Sequence, residues 1–170
     1  ARRQRQMCIR DSNFFFVNFI SYIFLFLFLV EAKNSNKSKL IFFLYGWFFG
    51  FGYFICSLYW ISISLTFDNN FKFLIPISII CIPAFISLFF GFSTLITKFF
   101  LSQKKIITSV LIFSLVFSIL EYIRGIVLSG FPWNLIAYSF SNQTEFIQIN
   151  SIVGIYGFNL LCITCLLYTS

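Results

Sequence analysis

Glu121 and Arg124 are the residues on which this chain can build chemistry. They stand three apart near the far end of the run Ile106 to Trp133, IITSVLIFSLVFSILEYIRGIVLSGFPW. Three residues is close to one helical turn, so the acid and the guanidinium share a helix face and partly neutralise each other. A charge inside a membrane helix is expensive enough to mark a functional site by default. A helix-end site of this kind can bind a lipid headgroup, gate a transporter or dock a subunit. The plainer use is an ion pair that braces a helix bundle. Ser114 and Ser118 extend the same face inward, a polar stripe expected to point into protein rather than lipid. The run stops at Gly130-Phe131-Pro132-Trp133: glycine permits a helix-ending conformation, proline blocks continuation, and Trp133 is expected at the outer interface.

Other reactive constellations are missing. The chain has no His, no G-x-S-x-G, no phosphate-binding glycine loop and no metal-ligand cluster. No cofactor is expected. Its five cysteines, at 8, 56, 81, 162 and 165, form no disulfide framework. Cys162-x-x-Cys165 has redox or zinc spacing, but it lies in an apolar run without a second pair, so both read as small residues of a membrane helix.

The elements that position the pair follow from composition. Of 170 residues, 59% are hydrophobic and 10% charged, with a mean hydropathy of +0.92. No soluble domain of this size can hide that much apolar surface, so the class is integral membrane. The fold expected is all-α, a multi-pass transmembrane helix bundle of about five spans near 14–30, 40–65, 73–97, 106–128 and 152–167. In the second span, Gly46 and Gly50 form a G-x-x-x-G face for helix packing, continued by Ser57 and Ser64. Tyr59 and Trp60 fall at the outer interface, as an aromatic belt does. Pro76 fits the first turn of the third span, whereas Pro83 is expected to kink it and free a carbonyl. The 28 Phe reflect an AT-rich genome as much as selection, and carry no functional weight.

Lysines orient the bundle. The polar breaks at Glu31–Lys39 and Lys98–Lys105 hold Lys33, Lys37, Lys39, Lys98, Lys104 and Lys105; those at Thr66–Lys72 and Ser129–Ser151 hold Lys72 alone, against Asp68 and Glu145. The positive-inside rule places the first pair of breaks in the cytoplasm and the Ser129–Ser151 loop outside. Arg2, Arg3, Arg5 and Arg10 then lie on the wrong side. Ala1–Ser12 (ARRQRQMCIRDS) and the closing CLLYTS resemble translated adapter read-through, so 1–12 and 165–170 are expected to be artefacts, and the bundle at 13–164 to be truncated at both ends. Without the tail's four Arg and Asp11 the net charge falls from +7 to +4, which the cytoplasmic lysines explain. No nucleic-acid partner is needed.

Several segments together resemble the membrane domain of the apolipoprotein N-acyltransferases. They are Gly46-Trp47-Phe48-Phe49-Gly50-Phe51-Gly52-Tyr53-Phe54 leading into Leu58-Tyr59-Trp60-Ile61, and Glu121-Tyr122-Ile123-Arg124-Gly125 followed by Gly130-Phe131-Pro132-Trp133-Asn134. Tyr138-Ser139, Gln148, Ser151 and Gly154-Ile155-Tyr156-Gly157-Phe158 continue the series. Ala137 stands where the family usually has Gly, and Phe140 where Gln is common. The resemblance implies an inner-membrane N-acyltransferase that works as a monomer among membrane lipids. It moves an acyl chain from a phospholipid onto the N-terminal amine of a diacylglyceryl-Cys apolipoprotein. It also implies a periplasmic nitrilase-like domain carrying a Glu-Lys-Cys triad, outside this chain, so no catalytic residue is expected within it and the chain alone is expected to be inactive. Candidates for shaping the lipid-access side are Glu121, Arg124, Phe131, Pro132, Trp133 and Tyr138: Arg124 to meet a phosphate, Trp133 to line acyl-chain access. A transporter or membrane assembly subunit without covalent chemistry is the alternative.

Overall fold

A computed structural model describes residues 15–64, 75–102, 106–128, 135–137 and 144–169. Among them the chain forms five helices: α1 Phe15–Asn34, α2 Lys39–Ser64, α3 Ile75–Phe100, α4 Ile106–Leu128 and α5 Thr144–Thr169. Long apolar runs leave no alternative, because backbone polar groups in hydrocarbon must be satisfied within the segment itself. Four of the helices are long and apolar enough to cross a membrane. The described helices overrun several expected spans. α1 continues through the polar Glu31–Asn34, since helical hydrogen bonding does not end where hydropathy does.

The connection from α1 to α2 is closed by local geometry. Asn36 adopts a left-handed conformation (φ 47°). The Asn36 amide donates to the Lys33 carbonyl at 3.1 Å, and that of Lys37 to Ala32 at 2.9 Å. This is the Schellman arrangement, in which asparagine is the usual substitute for glycine. Lys33 Nζ donates to the Lys98 carbonyl at 2.8 Å, and Lys98 Nζ donates to the Lys37 carbonyl. The first and third polar breaks therefore meet at one end of the bundle, where Lys33 caps the C-terminus of α3 and Lys98 ties the α1–α2 connection.

α2 and α3 pack most closely. A Cβ at Gly46 would collide with the Thr94 hydroxyl and the Phe90 carbonyl, and one at Gly50 would lie 2.9 Å from Phe90 Cβ. From the other side, a Cβ on Gly91 would lie 2.7 Å from the Phe43 ring. Such close approach lets Thr94 Oγ1 donate across the interface to the Phe42 carbonyl at 2.7 Å. Trp47 Nε1 likewise donates to the Ala84 carbonyl at 3.1 Å, one residue beyond Pro83. α3 continues through that proline, which offers no N–H to the Ile79 carbonyl.

Phe90 lies at the centre of the core. Its ring meets Phe54 edge-on at 5.3 Å, Phe117 at 5.3 Å and Tyr22 at 6.2 Å. Phe24, Phe28, Phe48, Phe85, Phe92, Phe99 and Phe100 face outward. Phenylalanine thus fills the core through edge-to-face contacts and also coats the lipid-facing surface.

α5 is not one straight helix. Gly154 has φ 74° and ψ 162°, a conformation that is essentially glycine-only. The helix starts at Thr144, so residues 144–151 are helical, where the sequence predicts the last part of a polar outer segment. The difference has a simple source: the polar letters of Thr144-Glu145-Phe146-Ile147-Gln148-Ile149-Asn150-Ser151 hide apolar residues at helical spacing.

Candidate functional site

The site is built where α4, α5 and a short buried turn meet. Glu121 lies fifteen residues after Ile106, about 22 Å along α4 from the lysine-bearing end. In a hydrocarbon layer of about 30 Å this is still below the far interface. Glu121 is 3% exposed and Arg124 1%. Ser114 and Ser118 on the same face are buried too, and Ser114 Oγ donates to the Val110 carbonyl at 2.9 Å. The polar stripe points into protein.

Arg124 is held by aromatic faces. Its guanidinium carbon lies 5.1 Å from the centroid of Phe54 on α2 and 5.9 Å from that of Phe90 on α3. A desolvated cation over ring faces gains up to about 2 kcal/mol. Arg124 also acts electrostatically on Glu121, and Tyr22 of α1 lies near the same carboxyl. Tyr22 is fully buried, its ring edge-on to Phe49, Tyr53 and Phe117. Four helices therefore surround one acid and one base.

Tyr122 and Gly125, beside the pair in Glu121-Tyr122-Ile123-Arg124-Gly125, both face α5. A Cβ on Gly125 would collide with the Tyr156 hydroxyl, so glycine there leaves room for that side chain of α5. Tyr122 meets the Tyr156 ring edge-on at 5.1 Å. Three residues after Tyr156, on the same face, Asn159 is fully buried; its Nδ2 donates to Glu121 Oε2. Asn159 Oδ1 accepts the Ala137 amide at 3.3 Å. Leu135, Ile136 and Ala137 are 2%, 0% and 3% exposed, with Ile136 and Ala137 in a 3₁₀ turn. Part of what reads as an outer loop is thus inserted into the bundle.

Of the residues expected at the site, Glu121 and Arg124 come together in the core. Gly46 and Gly50 lie at the α2–α3 contact, away from them in sequence and role. Phe131, Pro132, Trp133 and Tyr138 lie outside the described residues, as do Ser129 and Gly130. Sequence reasoning does not find Asn159 or Tyr22. An asparagine in the apolar run Gly154–Leu167 is the available signal for the first, since an amide in a membrane span needs a partner. Tyr22, in an aromatic-rich span, gives none. Cys162 is buried and Cys165 exposed, and no group of metal-binding side chains occurs among the described residues.

Fold and site together define a polytopic α-helical membrane domain with an acid, an amide and a guanidinium buried near one end. The chain belongs to the apolipoprotein N-acyltransferase N-terminal domain family, whose profile matches residues 7–167. It is 34% identical over 151 residues to the apolipoprotein N-acyltransferase of Brucella melitensis, covering 87% of this chain and 28% of that protein. The Rickettsia prowazekii protein of the same name is 34% identical over 146 residues, covering 85% of this chain and 29% of the relative. The Rhizobium etli protein is 30% identical over 156 residues, covering 88% and 29%. The chain thus spans somewhat over a quarter of the length of these curated relatives. No solved structure matches.

Proposed function

We propose that this chain forms membrane helices of an enzyme that transfers an acyl chain from a phospholipid to the N-terminal amine of a diacylglyceryl-Cys lipoprotein. The observation that carries the reading is the family match over residues 7–167, which includes both halves of the buried cluster. In this reading the chemistry belongs to a periplasmic domain beyond this chain. Covalent catalysis there splits one difficult transfer into two through a thioester. The helices supply the donor lipid's route, in the inner membrane, with the Ser129–Ser151 segment on the periplasmic face. In this reading the Phe131–Trp133 rim and Tyr138 line that route, and Arg124, which precedes the rim in the chain, supplies positive potential for a phosphate.

The test is a chimera in which residues 7–167 replace the matching segment of the Rickettsia prowazekii relative. Acyl transfer from phospholipid to a diacylglyceryl-Cys peptide is expected to be retained. A chimera that inserts and folds but transfers nothing would sink the reading. Arg124→Gln in the active chimera is expected to raise KM for the phospholipid more than it lowers kcat. Unchanged kinetics would leave Arg124 a brace for the bundle only.

A further inference from the structure

We propose that Asn159 is a positioning residue: its side chain latches the buried Leu135–Ala137 turn to Glu121, and so anchors the segment that follows Trp133. The turn is irregular backbone buried inside the helix bundle, where each unsatisfied N–H or C=O is costly and such structure persists only when protein supplies partners. Asn159 supplies one, accepting the Ala137 amide at 3.3 Å.

The choice of asparagine follows from the two groups it bridges. On one side is a backbone donor. On the other is Glu121 Oε2, to which Asn159 Nδ2 donates. A carboxylate offers acceptors only, and an amide offers one carbonyl and one NH₂. Only one orientation of the Asn159 amide satisfies both neighbours. Leucine would satisfy neither, and aspartate would satisfy only the Ala137 amide. Glu121 therefore fixes the amide that holds the turn, and all three residues are at most 3% exposed.

The consequence for acyl transfer rests on the acyltransferase reading, because the turn lies two residues beyond Trp133 in the chain. The latch itself does not. Its test is amide hydrogen exchange in the full 170-residue chain in detergent, labelled with ¹⁵N-alanine. The chain has four alanines, at 1, 32, 84 and 137, so Ala32 in α1 and Ala84 in α3 serve as internal references for global opening. Ala137 is expected to be protected in the unsubstituted chain. Asn159→Leu is expected to speed its exchange by roughly tenfold, the equivalent of one hydrogen bond, and to leave Ala32 and Ala84 unchanged. Asn159→Asp, which keeps an acceptor for the Ala137 amide but turns a second carboxyl oxygen toward Glu121 in place of the donor, is expected to lose part of the protection. An unprotected Ala137 in the unsubstituted chain overturns the latch. So does an Asn159→Leu rate equal to the unsubstituted one. If all three alanines accelerate together in Asn159→Leu, that variant has unfolded, and folded Asn159→Asp then decides: an Ala137 as protected as in the unsubstituted chain overturns the latch to Glu121. An inactive chimera with a protected Ala137 would instead count against the acyltransferase reading.

Discussion

At the scale of the residue, burial determines what Glu121 and Arg124 can cost. Neither side chain reaches water, so each depends on its neighbours: Glu121 on Asn159 and the nearby guanidinium, Arg124 on the Phe54 and Phe90 rings and on Glu121. Removing one charge leaves the other buried without its counter-charge, at a cost of about 3 kcal/mol or more. Glu121→Leu and Arg124→Leu are each expected to lower the thermal midpoint of the purified protein clearly. The double variant should recover much of the loss, because a pair replaced by apolar groups leaves no orphan charge. A fully additive double-mutant cycle would show that the two residues do not act on each other. The pair is legible in the sequence because charges in an apolar run stand out. Its partners are less so: Tyr22 is an ordinary letter in an aromatic span, and its role depends on which helix lies beside it.

At the scale of the element, two kinds of glycine do different work. Gly46 and Gly50 make room for α3, and their effect is steric. Gly46→Val is expected to destabilise the fold by roughly 1–3 kcal/mol through overpacking, read by thermal unfolding in detergent. A methyl group added at Gly52 would meet nothing within 4 Å, so Gly52→Ala should stabilise the same helix by roughly 0.5–1 kcal/mol. If both substitutions had equal effects, close helix approach would not be the reason for the G-x-x-x-G face. Gly154 differs again. A Cβ there meets open space, yet its φ of 74° and ψ of 162° are strained for any other residue. Gly154→Ala is expected to cost roughly 1–3 kcal/mol, with no steric clash to relieve. The G-x-x-x-G spacing can be read from the sequence. The break in α5 cannot, because glycine is tolerated within helices and only the backbone dihedrals separate the two cases.

At the scale of the whole molecule, the arrangement joins charge to topology. Lys33 and Lys98 cross-link two polar breaks at one end through each other's neighbouring carbonyls, while the buried cluster lies near the opposite end. Positive charge near short loops retains them in the cytoplasm. A green fluorescent protein fused after Ser102 is therefore expected to fluoresce, and alkaline phosphatase fused after Leu128 to be active. The reverse pattern would invert the bundle and put the cluster on the cytoplasmic side, which the acyltransferase reading does not allow.

The sequence by itself determined the membrane class and the helical architecture, and put an acid and a guanidinium on one face of one helix. These depend on quantities summed along the chain, such as apolar length and helical spacing, which need no knowledge of neighbours. Tertiary structure alone decided the partners. Asn159 lies 38 residues from the carboxyl it binds and 22 from the amide it accepts. No local pattern connects them, because hydrogen bonds in hydrocarbon are selected by which helices meet and how closely. That closeness is in turn set by glycines on three separate elements.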